Sequence, residues 1–170
     1  MNKEIRKISL LSIIIALAMV LSYVDSLIHI PFTPPYFKIG IANIAIIYTL
    51  YKIGTKEACI VSIFRLILSS ILFSNLITFI YSFAGALLSL TLMIVLKRIN
   101  KFTKNTISIV GAIMHNVGQI IVAIILMSTK EIALYLPVLI ITGIIAGCGV
   151  GILSNLVLKY TSNINLMLLS

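Results

Sequence analysis

Apolar residues run through this chain in long blocks rather than in an alternating pattern. Six blocks can be read, at about 8–28, 39–51, 58–73, 76–96, 107–127 and 132–158. Block lengths near 20 residues match helices that cross roughly 30 Å of hydrocarbon. The breaks between them carry the turn and charge signals. The first, 29–38, holds Pro31, Pro34 and Pro35, which cannot continue a helix. The others are 52–57, 74–75, 97–106 and the stretch around 128–131. The second block is short. Thirteen residues cover only about 20 Å, so it either spans with help from its flanks or has an irregular outer end lining a cavity.

Composition agrees with this pattern. Hydrophobic residues make up 61% of the 170 and charged residues only 10%, against about 45–50% and 25% in soluble domains. A soluble fold of this size has too much surface to hide so much apolar side chain. Disorder is excluded because there is ample apolar surface to bury. The expected architecture is therefore an all-α membrane protein of six transmembrane helices in a single integral domain, 1–170. The basic start (Lys3, Arg6, Lys7) before an apolar run is compatible with a secretory signal. The run continues past Leu21 into Ser22, Tyr23 and Asp25, and no A-x-A pattern follows it, so it reads as a retained first span.

The net charge of +9 comes from 13 Lys+Arg against 4 Asp+Glu. In a soluble protein that balance would point to nucleic acid. Here basic loops facing the cytoplasm and its anionic lipids explain it more simply, and no nucleic-acid partner is expected. With the N-terminus inside, the inner segments hold Lys3, Arg6, Lys7, Lys52, Lys56, Lys97, Arg98, Lys101, Lys104 and Lys159. The outer ones hold Lys38 and Lys130, and Arg65 lies within a span. This asymmetry predicts both termini in the cytoplasm. The two cysteines, Cys59 and Cys148, lack metal or redox spacing and read as small buried hydrophobes.

Charged and amide groups inside the blocks are the candidate chemistry, because such groups are expensive in hydrocarbon. Asp25 falls near the outer end of span one, Asn43 one turn into span two, and Arg65 near the middle of span three. His115, Asn116 and Gln119 cluster in span five, on one helix face by their spacing. Counting from the outer ends, Asp25 and Arg65 differ in depth by about 7 Å, a distance an arginine side chain bridges. Lys38, Asn43, Asp25, Arg65 and Gln119 all fall in the outer half, with His115 near the midplane. Together they suggest a polar pocket open to the outside that suits a small anionic or zwitterionic solute. Quieter readings stand beside this one. Asp25 and Arg65 can be a structural ion pair, Lys38 an interfacial lysine, and the span-five trio interhelical hydrogen-bonding groups.

Gly143, Gly147 and Gly151 repeat every four residues in span six. Such a ridge permits close helix approach, either within the chain or to a partner membrane subunit. Other chemistry is absent. There is no Walker A loop, so the chain cannot drive transport by itself. Its acids, Glu4, Asp25, Glu57 and Glu131, form no aspartate-rich Mg²⁺–diphosphate motif. No nucleophile–base–orienter set is visible. An enzyme is not expected, nor a cofactor or metal.

The strings LSYVDSL, KIGIAN, RLILSSILF, YSFAGALLSL, GAIMHNVGQ and YLPVLIITGIIAG, in that order along nearly the whole chain, resemble the bacterial Gx-transporter family. That family is widely labelled heptaprenyl diphosphate synthase component I. It looks related to the substrate-binding S components of energy-coupling-factor transporters. The resemblance implies a six-helix, S-component-like bundle in the bacterial cytoplasmic membrane, with a ligand pocket near the outer face. It also implies partners, a transmembrane coupling subunit and ATPase subunits. The synthase label implies instead a non-catalytic companion of a separate prenyl synthase subunit.

Overall fold

The computed structural model describes residues 3–28, 40–73 and 75–162. The described residues form six α-helices: α1 (Lys3–Leu27), α2 (Asn43–Lys52), α3 (Thr55–Phe73), α4 (Leu76–Ile99), α5 (Lys104–Met127) and α6 (Leu136–Tyr160). A 3₁₀ turn, Lys130–Tyr135, leads into α6, and no strand occurs among them. Each apolar block thus contains a helix. Four segments, 4–27, 76–99, 104–127 and 130–160, are long and apolar enough to cross a membrane. The 10-residue α2 and the 19-residue α3, which carries Arg65, are not among these four.

Local chemistry sets the boundaries. Asn75 caps α4, its side chain accepting from the Thr78 N–H at 2.8 Å, and Thr103 caps α5 by accepting from the Thr106 N–H at 3.2 Å. At the other end of α4, Asn100 turns left-handed with φ 58°. Pro137 sits in the first turn of α6, where its missing N–H costs nothing. α1 begins about one turn before the apolar block, because Lys3–Lys7 continue the helix into polar surroundings. α2 begins later than its block. Gly40 has φ +89°, and residues 40–42 form a buried turn in place of a first helical turn.

Three apolar cores hold the helices together. Leu11, Ile14 and Ala18 of α1 meet Ala45 and Val61 of α2 and α3. Ile46, Ile47 and Leu50 of α2 meet Ala58, Met93, Ile107 and Val150. Tyr81, Ile120, Ala123, Ile132 and Leu139 form the third, at the opposite end of α4–α6. The remaining large apolar side chains point outward on α1, α3, α4, α5 and α6; Ile13, Ile71, Leu76, Ile125 and Ile145 are all more than 60% exposed. A surface this apolar suits contact with lipid.

The contacts at the helix ends fix one polarity. Lys7 of α1 pairs with Glu57 of α3 at 2.6 Å. Lys52 of α2 donates to the Thr161 carbonyl after α6 at 2.8 Å, and Lys97 of α4 donates to the Leu50 carbonyl of α2. Asn155 of α6 donates to Asn105 of α5 at 2.6 Å. The start of α1 and the finish of α6 therefore share one end of the bundle. All ten lysines and arginines expected on inner segments lie on the segments at that end.

The glycines of α6 face α5. A Cβ on Gly147 would lie 2.6 Å from Ile109 Cα, one on Gly143 3.2 Å from the Asn116 side chain, and one on Gly151 3.0 Å from Asn105. Ser108 donates to the Gly147 carbonyl at 2.8 Å across the same seam. The close approach that this ridge permits is taken up inside the chain, so its glycines are not an open docking surface. Gly149, turned the other way, has nothing within 4 Å among the described residues.

Candidate functional site

The end of the bundle away from the lysines gathers buried polar groups from four helices. On α1, Ser22 and Asp25 lie one turn apart and are both buried. Facing them on α3, Arg65 is only 5% exposed and donates from Nη1 to Ser22 Oγ at 3.3 Å. Asp25 lies within electrostatic range of this guanidinium. Its Oδ2 accepts the Gly40 N–H at 2.9 Å. That contact links the finish of α1 to the turn that opens α2.

From Gly40 the cluster continues into α2 and α5. Asn43 is buried, and its Nδ2 lies 3.0 Å from where a Gly40 Cβ would stand. The His115 ring lies 4.0 Å from the same point. On its other side that ring meets Gly85 of α4, where a Cβ would come within 3.0 Å of Cε1 and Nδ1. His115 and Gln119 meet on α5, Nε2 to Nε2 at 3.4 Å, and Gln119 is fully buried. Asp25, Asn43, Arg65, His115 and Gln119 thus form a connected chain of neighbours through Gly40.

One expected member stands elsewhere. Asn116 is buried, but one residue along α5 turns it about 100° from His115. It faces α6, donating to the Leu139 carbonyl at 2.7 Å, so the span-five trio divides between two helix interfaces. Lys38 lies outside the described residues. Two features of the cluster escaped sequence reading: Ser22, an ordinary serine in an apolar run, and Gly85, whose missing side chain makes room for the histidine ring. KIGIAN did contain the remaining signal, a glycine three residues before Asn43.

Several donors and acceptors here have no hydrogen-bond partner among the described residues. They are Arg65 Nε and Nη2, Asn43 Nδ2 and Gln119 Oε1. Unpaired buried groups of this kind cost about 1–3 kcal/mol each, more when charged. A guanidinium with Nε and Nη2 unpaired suits a carboxylate or phosphate, and the amides of Asn43 and Gln119 supply neutral donors and acceptors. Among the described residues no three His, Cys, Asp or Glu converge as metal ligands. The groove of about 530 Å³ between α1 and α3, lined by Ile8, Leu11, Phe64 and Leu68 among others, is apolar and separate from this cluster.

A family model described as heptaprenyl diphosphate synthase component I matches residues 14–157. The chain belongs to that family. The matched span takes in α2–α5 whole, the later part of α1, most of α6 and every polar residue of the cluster. No curated protein and no solved structure matches the chain.

Proposed function

We propose that this chain is a non-catalytic membrane subunit that captures a small anionic or zwitterionic solute from outside, in the manner of an S component of an energy-coupling-factor uptake transporter. The observation that supports this most is Arg65, a buried guanidinium with Nε and Nη2 unpaired among the described residues, beside polar groups of α1, α2 and α5. In this reading Arg65 and Lys38 contact the anionic group. Asn43, His115 and Gln119 hydrogen-bond the solute, with Asn116 at the margin. Asp25 orients Arg65 and the Gly40 turn, or meets an ammonium. The basic end faces the cytoplasm, both termini with it, and six helices cross the bacterial cytoplasmic membrane.

Small molecules co-purifying with the detergent-solubilised chain, identified by mass spectrometry, provide the ligand for a direct test. Arg65→Ala is expected to abolish its retention in a calorimetric titration, a loss of at least about 100-fold for a charge-assisted bidentate contact. Unchanged affinity in a variant that stays folded would remove Arg65 from the site.

The family description favours a second reading. In it the chain is a non-catalytic membrane companion to the catalytic subunit of a heptaprenyl diphosphate synthase. The two readings differ in the protein on which the chain acts: a coupling subunit with ATPases in the first, a soluble prenyl synthase in the second. Neither asks this chain for chemistry of its own.

A further inference from the structure

The strongest charge feature lies at the other end of the bundle, around Tyr51. The ammonium of Lys97 stands 5.3 Å from the centroid of the Tyr51 ring and that of Lys104 5.4 Å. Lys97 is held there by the Leu50 carbonyl at the finish of α2. Lys52, the next residue after Tyr51, is tied to the Thr161 carbonyl at 2.8 Å. Arg98, Lys101 and Lys159 are exposed on the adjoining segments.

Among the described residues no acidic side chain is paired with these lysines. The chain has four acids. Glu57 is taken by Lys7, Glu4 is on α1, Asp25 is buried at the far end, and Glu131 precedes α6. The aromatic face attracts each ammonium by its quadrupole, but it cancels neither charge. Two lysines drawn to one ring repel each other unless an anion sits near both. The surroundings are those of a bilayer boundary. Ile99 and Phe102 flank the lysines at 48% and 44% exposure, and Tyr160 is 81% exposed. Apolar side chains interleaved with cations suit headgroups above and acyl chains below.

We propose that the face formed by Tyr51, Lys97 and Lys104 binds the phosphate of an anionic phospholipid headgroup. Its acyl chains would lie along the exposed apolar side of α4, where Val95 and Ile99 point outward. The anion offsets the repulsion between the two lysines, and Lys97 keeps its bond to the α2 carbonyl.

Native mass spectrometry of the whole chain, titrated with phosphatidylglycerol and with phosphatidylcholine, tests this. Phosphatidylglycerol should be retained in preference. Lys97→Gln with Lys104→Gln should weaken that retention roughly 30-fold, and Lys104→Gln alone roughly fivefold. Lys130→Gln, on the segment before α6, should leave it unchanged. Because Lys97 also holds α2, the single Lys104 variant decides the matter if the double variant unfolds. Equal retention of the two lipids would overturn the proposal, and so would wild-type retention by Lys104→Gln. Displacement of the lipid by inorganic pyrophosphate at equal concentration would also overturn it, assigning the face to a soluble diphosphate.

Discussion

Arg65 is where the residue scale matters most. A charged group buried away from water costs on the order of several kcal/mol. One hydroxyl at 3.3 Å and a nearby carboxylate offset part of that. Gly40 is the residue on which that carboxylate depends. Its φ of +89° is open to glycine and strained for other residues, and its N–H is the donor to Asp25. Gly40→Ala should cost about 1–2 kcal/mol from the backbone conformation. A Cβ there would also press on the Asn43 amide at 3.0 Å. We expect a lower unfolding temperature in detergent together with weaker solute retention. A variant matching wild type in both measurements would show that the turn does not organise the site.

At the scale of elements, the block pattern already contained the six helices, because helix length and bilayer thickness both act on runs of sequence. Two features were not legible. α2 starts at Asn43 rather than near residue 39, since the left-handed turn at Gly40 depends on a carboxylate fifteen residues earlier. Likewise, the one-residue offset between His115 and Asn116 only acquires meaning once α4 is known to lie on one side of α5 and α6 on the other. The glycine spacing of α6 was readable, but not its occupant. With α5 in that role, size becomes decisive. Gly147→Leu would drive a side chain into the backbone at Ile109, 2.6 Å from the Cβ position. The expected penalty is about 1–3 kcal/mol. Gly149→Leu, two residues on and facing open space, should stay within about 0.5 kcal/mol of wild type. Thermal unfolding of the two variants in the same detergent makes the comparison, and equal losses would mean that the α5–α6 seam is not packed through Gly147.

The described residues divide their polar chemistry between two ends: buried groups of mixed character at one, most of the lysines and arginines at the other. The sequence has neither a nucleotide-binding loop nor a diphosphate-binding acidic motif. Both functional readings set the chain beside another protein, and they separate at this scale. Capture by an affinity tag on the full chain, from its native membrane in mild detergent, is the deciding measurement. Solute uptake predicts co-purification of a multi-span coupling subunit with nucleotide-binding ATPases, and their retention should not require the Arg65 cluster. A prenyl synthase companion predicts instead a soluble subunit bearing aspartate-rich motifs, held at the basic end and released by salt, because contacts between exposed charges are screened over about 8 Å at physiological ionic strength. Recovery of the ATPases would discard the synthase reading, while recovery of the synthase alone would leave the buried arginine with a structural role and end the case for uptake.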